Sequence, residues 1–252
     1  MRIIVLTDLD ETLFSTRVPI CAGAGGPREL CTHPDADIKP AFWTEKQAAL
    51  WKVLVQKADI RIPVTARSEK AFNGVALEFP HGHVLNFGAS VYGPGGELDQ
   101  VWHQKMHAAS LQMQQHKVFT ALHPILSDLA DAVTIRDAGG FSCFLHVRAT
   151  VSTIFEVKTR IWDYLQKTKQ THNYYIHVSN SILFLLPNFV RKDLAVQHLF
   201  ATQGYDNDLV FGMGDSLSDV GFMGLCDFLV LPRDADATQQ LFDAAMRAEV
   251  LS

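Results

Sequence analysis

Residues 2–12 read RIIVLTDLDET. Arg2 to Thr7 is a short β-branched run of the kind that lies buried in a parallel sheet. It stops abruptly at two carboxylates one residue apart, Asp8 and Asp10. Further on, Thr44 to Gln56 carries apolar residues at Ala48, Leu50, Trp51, Val53, Leu54 and Val55, which predicts a largely buried helix. Asp59 to Thr65 (DIRIPVT) reads as a second strand, and Ser68 is placed to cap a helix over Glu69 to Leu77. Val84 to Phe87, ending at Gly88, reads as a third strand. Strand, helix, strand, helix, strand is the order of a parallel sheet with crossover helices. The intervening stretch from Cys21 to Pro40 is rich in Gly and Pro without periodicity and reads as a loop. Its Gly23, Gly25 and Gly26 are not a phosphate loop, because the G-x-x-x-x-G-K-[ST] pattern is absent.

After residue 90 the rhythm changes. Val91 to Val101 reads as a hairpin around Gly93–Gly96, followed by one long helix over His103 to Leu129. Ala132 to Ile135 and Ser142 to Val147 read as strands joined across Gly139 and Gly140. A helix over Thr153 to Lys169 and two strands, Asn173 to Val178 and Ser181 to Leu186, complete this part, with a turn at Asn180. Beyond Pro187 the α/β alternation returns: helix Lys192 to Thr202, strand Leu209 to Gly212, helix Leu217 to Met223, strand Phe228 to Leu231, and a closing helix Ala235 to Glu249. The expected fold class is therefore α/β, a Rossmann-like parallel-sheet core over residues 1–89 and 187–252. An inserted α+β domain is expected over 90–186.

Composition narrows the function classes. The chain has 252 residues, 48% hydrophobic and 19% charged, which permits a buried core and argues against disorder. A net charge of −5 argues against a nucleic-acid partner. No apolar run approaches about 18 residues, so no membrane span is expected, and Ile3 to Leu6 is too short for a signal peptide. Cys21, Cys31, Cys143 and Cys226 form no C-x-x-C pair, which fits a reducing, cytoplasmic setting. His81 with His83, and Cys31 with His33, are the only close clusters of soft ligands, too few for a zinc site.

In open parallel sheets, ligands gather at the carboxyl ends of the strands. Asp8 and Asp10 follow the first strand, Thr65 ends the second, Lys192 opens the helix after the insert, and Asp215 and Asp219 follow the strand at 209–212. Four carboxylates, one hydroxyl and one ammonium are thus expected to converge.

These residues carry a resemblance. Asp8-Leu-Asp10-Glu-Thr12 resembles motif I of the haloacid dehalogenase superfamily; Thr65 in VTAR resembles motif II; Lys192 in PNFVRKDLA resembles motif III; and Gly212-Met-Gly-Asp215-Ser-Leu-Ser-Asp219 resembles motif IV. The match follows the superfamily's order across the whole core. The insert between motifs II and III resembles the C2 (type IIB) cap of sugar-phosphate phosphatases, such as sucrose-phosphate phosphatase, and of Cof-type phosphatases. Two departures stand out: Ser218 where relatives commonly carry Asn, and Ala66 where Gly is usual.

The resemblance implies a Mg2+-dependent phosphatase acting on a small phosphorylated metabolite of the sugar-phosphate kind. Asp8 would be the nucleophile, Asp10 the acid and base, Thr65 a donor to a phosphate oxygen and Lys192 a charge stabiliser. Asp8, the carbonyl of Asp10 and Asp215 would bind Mg2+, with Asp219 binding directly or through water. Such chemistry suits these residues, since an aspartate of ordinary pKa ~3.9 needs no base to act as a nucleophile. A cation and an ammonium would offset the repulsion between it and a phosphate dianion. A phosphomutase using the same aspartyl nucleophile and a non-catalytic regulatory relative are the alternatives. A monomer or homodimer is expected.

Overall fold

The structure is a computed structural model that describes residues 1–16, 29–33, 38, 40–179, 181–205 and 207–250. Gly23, Gly25, Gly26 and the turn at Asn180 lie outside the described residues. The chain divides into two compact units, Met1–Asp99 with Lys192–Ser252, and Gln100–Arg191.

The first unit is built on β1 (Ile3–Thr7), β4 (Ile60–Pro63), β11 (Leu209–Met213) and β12 (Phe228–Val230), which form a parallel sheet in the order β12-β11-β1-β4. β1 has a neighbour on each side, and Ile4, Val5 and Leu6 are completely buried. This is why its sequence is an unbroken apolar run rather than an alternating one. A single parallel bridge between Val64 and Val84 brings β5 (His83–Leu85) up beyond β4. Two two-residue strands pair here, β2 (Glu29–Leu30), within the segment that reads as a loop, and β3 (Phe42–Trp43), just beyond it.

Helix α1 (Glu45–Leu50) begins at Thr44, whose hydroxyl accepts from the Gln47 N–H while the Gln47 amide oxygen accepts from the Thr44 N–H. It gives way to one π-turn, Trp51–Val55, that sets Trp51 and Val55 in the core. Helix α2 (Glu69–Asn73) is capped by Ser68 as expected but ends before Gly74, not at Leu77. The chain there is drawn away to pair with the segment before α1: Val75 bridges Thr32, and the Ala76 N–H donates to the Cys31 carbonyl at 2.8 Å.

In the second unit, β7 (Ala130–Asp137), β8 (Ser142–Ala149), β9 (Tyr174–Ser179) and β10 (Ile182–Pro187) form an antiparallel sheet in the order β7-β8-β10-β9. Gly139 and Gly140 turn between β7 and β8 at φ 62° and 97°, a conformation that favours glycine. One sheet face is covered by α4 (Gln115–Leu126) and α5 (Ile154–Lys167), where Phe119, Leu122, Val157 and Ile161 pack on Leu145, Val147, Leu183 and Leu185. The single helix expected over 103–129 is two, α3 (Gln100–Met113) and α4, broken at Gln114 with φ 52°. The break turns Gln115 inward, where its amide donates to the Ser142 carbonyl of β8 at 2.7 Å.

The division between the units falls at 99/100 and 191/192, not at 89/90 and 186/187. Strand β6 (Ser90–Tyr92) pairs with β5, and the Asp99 N–H donates to Val91, so residues 90–99 remain with the first sheet. At the other crossing, Asn188 donates to Asn173 and the Tyr175 hydroxyl to the Val190 carbonyl, which ties residues 187–191 to the second. Among the described residues no helix is long and apolar enough to cross a membrane. The core thereafter runs α6 (Lys192–Gln203), β11, α7 (Leu217–Met223), β12 and α8 (Asp236–Val250).

Candidate active site

Register brings the chemistry to one sheet edge. Thr7 lies between Pro63 and Met213 in the parallel ladder, so Asp8, Val64–Thr65 and Gly214–Asp215 all leave the sheet together. The Asp8 N–H continues the pairing, donating to the Met213 carbonyl at 2.8 Å. The turn after Asp8 is held by Leu9, Leu13 and Phe14, all completely buried, and places Glu11 at φ 61°.

Lys192, the first residue of α6, is 3% exposed and donates to Asp8 Oδ1 at 2.9 Å and to Asp219 Oδ1 at 2.6 Å. Asp219 is completely buried in the first turn of α7. Its other oxygen, Oδ2, accepts from the Asp215 N–H (3.2 Å), the Ser216 N–H (3.0 Å) and the Ser216 hydroxyl (2.9 Å). One carboxylate therefore caps the helix and anchors the lysine. The close packing depends on Gly214: a Cβ there would stand 2.4 Å from that of Asp219.

Asp8, Asp215 and Asp219 each bring one oxygen within 4.8 Å of the others, the only such group of potential metal ligands among the described residues. Three carboxylates against one ammonium leave two negative charges in excess when all are ionised. Oxygen-only donors with that excess charge fit a hard divalent cation such as Mg2+. Electrostatics alone push the acids up. Burial, chiefly, and then the neighbouring carboxylates raise Asp8 well above the usual carboxylate range against the pull of Lys192. Burial and Asp219 raise Asp215 to about 7. Burial would lower Lys192, but Asp219 and Asp8 outweigh it and hold the ammonium charged. The ordinary acidity expected for Asp8 is thus corrected: its ionised form needs the cationic partners around it.

Asp10 and Thr65 stand apart from this cluster. Asp10 is forked by Arg67, whose Nε and Nη2 donate to its two oxygens at 2.8 Å each. Thr65 is fully buried, and its hydroxyl accepts from the Arg67 N–H at 3.3 Å. The soft-ligand clusters carry no metal geometry: His83 stacks between Phe72 and Tyr92 with ring centroids 4.5 Å away on both sides.

No protein-family model and no curated protein matches the chain. Solved structures do. The sucrose-phosphatase of Synechocystis, solved in complex with sucrose and phosphate, superposes with a TM-score of 0.61 at 18% identity, covering 96% of this chain and 88% of that one. The C-terminal domain of trehalose-6-phosphate phosphatase from C. albicans gives 0.59 at 16% identity, over 88% of this chain and 73% of that one. This chain shares the fold of these two phosphatases. A protein of Thermoplasma acidophilum gives 0.53 at 13% identity, over 95% of this chain and 88% of that one.

On this fold the departure at Ser218 has a physical reading. The Ser218 hydroxyl lies 2.7 Å from that of Ser216, which in turn donates to Asp219, so two short side chains in series stand behind Asp219. One contributor, Ser216, was not singled out from sequence. Ser216 was signalled by the helix-start spacing Ser216-x-x-Asp219. Arg67 reads from sequence as a phosphate contact or a surface cap; its pairing with Asp10, 57 positions away, leaves no local pattern.

Proposed function

We propose that the protein is a Mg2+-dependent phosphatase that hydrolyses a small phosphorylated metabolite through an aspartyl-phosphate on Asp8. The observation that carries this reading is the buried Lys192 shared between Asp8 and Asp219, with Asp215 beside them. A carboxylate at a strand end with an ammonium on one oxygen is oriented and charge-compensated to attack phosphorus. When bound, Mg2+ neutralises charge on the carboxylates and on the transferring phosphoryl group. Asp8, Asp215 and the Asp10 carbonyl would hold it. Asp219, with both oxygens engaged, would contribute through water.

In the first half-reaction an Asp8 oxygen forms a bond to phosphorus, the ester P–O bond breaks, and the leaving oxygen takes a proton from Asp10. In the second, Asp10 removes a proton from water, which attacks phosphorus; the Asp8–phosphorus bond breaks and phosphate departs. Lys192 holds its charge throughout, and Thr65 donates to a phosphoryl oxygen. A sugar phosphate is the favoured substrate class, because the structures of like fold include proteins named for sucrose phosphate and trehalose 6-phosphate.

A panel of phosphorylated metabolites with Mg2+, scored both for released phosphate and for isomer formation, tests this reading. Phosphate release supports it. Interconversion of phosphate isomers without release would make the protein a mutase, and no turnover of any ester, including p-nitrophenyl phosphate, would make it a non-catalytic relative.

A further inference from the structure

The Asp10 side chain is 34% exposed, against 9% for Asp8 and 0% for Asp219, and a short acid on a turn has several rotamers open to it. Here one rotamer is selected from outside motif I. Arg67 presents the Nε–Nη2 edge of its guanidinium to both Asp10 oxygens, a planar two-point contact that fixes the carboxylate's plane as well as its distance. The arginine is itself immobilised. Its side chain is 9% exposed, its Nη1 donates to the Ala71 carbonyl in α2 at 3.0 Å, and its guanidinium carbon lies 5.0 Å from the centroid of the Phe14 ring. The Arg67 N–H is fixed by the Thr65 hydroxyl. Every donating edge of Arg67 in these contacts faces protein, which leaves it badly arranged to serve as a phosphate ligand.

We infer that Arg67 is a positioning residue for Asp10. It ties the orientation of the proposed proton-transfer carboxylate to motif II and to the first turn of α2, and acts on the reaction only through Asp10. The inference rests on the reading of Asp10 as acid and base. It predicts that losing Arg67 impairs the step in which a poor leaving group must be protonated, and leaves substrate binding largely intact.

The test is steady-state kcat and KM for β-glycerophosphate and p-nitrophenyl phosphate, with Mg2+, in the wild type, Arg67→Met, Arg67→Lys, Asp10→Asn and the Asp10→Asn/Arg67→Met pair, with a thermal melt of each. Arg67→Met should lower kcat for the alkyl ester by about 10–100-fold, the range typical of partners that orient a site residue. The aryl ester should lose much less, and KM should change little for either. Arg67→Lys, which keeps the charge and the packing on Phe14 but makes one contact rather than two, should fall between. That variant decides the matter alone should Arg67→Met not fold. In the Asp10→Asn background, Arg67→Met should add no further loss, since its route of action is already gone. Equal losses in kcat/KM, which reports phosphorylation alone, on both esters, a rise confined to KM, or a full additional loss in the pair would overturn the assignment. If Asp10→Asn itself shows no leaving-group dependence, the acid role fails first and the Arg67 assignment falls with it.

Discussion

Asp219 holds Lys192 at 2.6 Å while its second oxygen caps the helix that carries it. The lysine's other contact is Asp8, at 2.9 Å, so the orientation of the proposed nucleophile is set by a residue with no exposure of its own. Helix capping and charge placement are thus one interaction, and disturbing either should disturb the other.

Asp219→Ala tests this. The substitution leaves Lys192 with Asp8 as its carboxylate partner but strips the Asp215 and Ser216 N–H groups of their acceptor, which costs about 1–3 kcal/mol. Both the denaturation midpoint and kcat should fall. A variant that melts like the wild type and turns over normally would show that Lys192 does not depend on Asp219.

Gly214→Ala should act on the same pair by steric means. With a Cβ 2.4 Å from that of Asp219, the α7 turn must shift, and overpacking of this kind costs about 1–3 kcal/mol. The expected outcome is a folded protein with a lower Tm and a kcat reduced about tenfold or more, a 1.4 kcal/mol effect on the barrier. An unchanged kcat would mean that the Asp219 position tolerates displacement.

Much of this site could be read from residue order. Asp8, Thr65, Lys192 and Asp215 were legible because each ends a strand or opens a helix, and the parallel register of β1 with β4 and β11 converts such ends into neighbours. The break at Gln114 was not legible. No Gly or Pro marks it, and its cause is the contact of Gln115 with Ser142, 27 positions on. The Asp10–Arg67 fork was invisible for the same reason: a pairing across 57 positions leaves no local pattern. The boundary between the units was misplaced by residues 90–99, whose hairpin-like sequence pairs with β5 instead of opening the insert.

Metal binding should couple to pH. Asp215 sits near 7 and Asp8 well above its usual range, so between about pH 4 and 7 the folded, metal-free protein holds protons that the unfolded chain has released. Stability from these groups therefore falls as pH rises through that window. His83 and His146, both lowered to about 4 chiefly by burial, act in the opposite sense: their contribution grows as pH rises from about 4 to 6.5. The increment in Tm on adding Mg2+ isolates the acids, because the histidines contribute equally with and without metal. That increment should be small at pH 5 and larger at pH 8, and Asp215→Asn should abolish it while raising the Tm in chelator at pH 8. An increment independent of pH would contradict a cation site at these carboxylates.

Asp10→Asn should slow hydrolysis of alkyl phosphates by about 10²–10⁴-fold, the usual worth of positioned acid–base catalysis. A p-nitrophenyl leaving group needs no proton, so its first step should be far less affected. Equal losses on the two esters, with phosphorylation rate-limiting, would contradict the acid role.

On the proposed mechanism the phosphoryl group passes through Asp8. An acid quench of a single turnover, with Mg2+ and an ester that the enzyme hydrolyses, followed by peptide mass analysis, addresses it directly. The peptide containing Asp8 should gain the mass of one phosphoryl group, hydroxylamine should remove it, and Asp8→Asn should show neither the adduct nor turnover. Turnover at the wild-type rate in Asp8→Asn, or a phosphoryl group trapped on another residue, would contradict it.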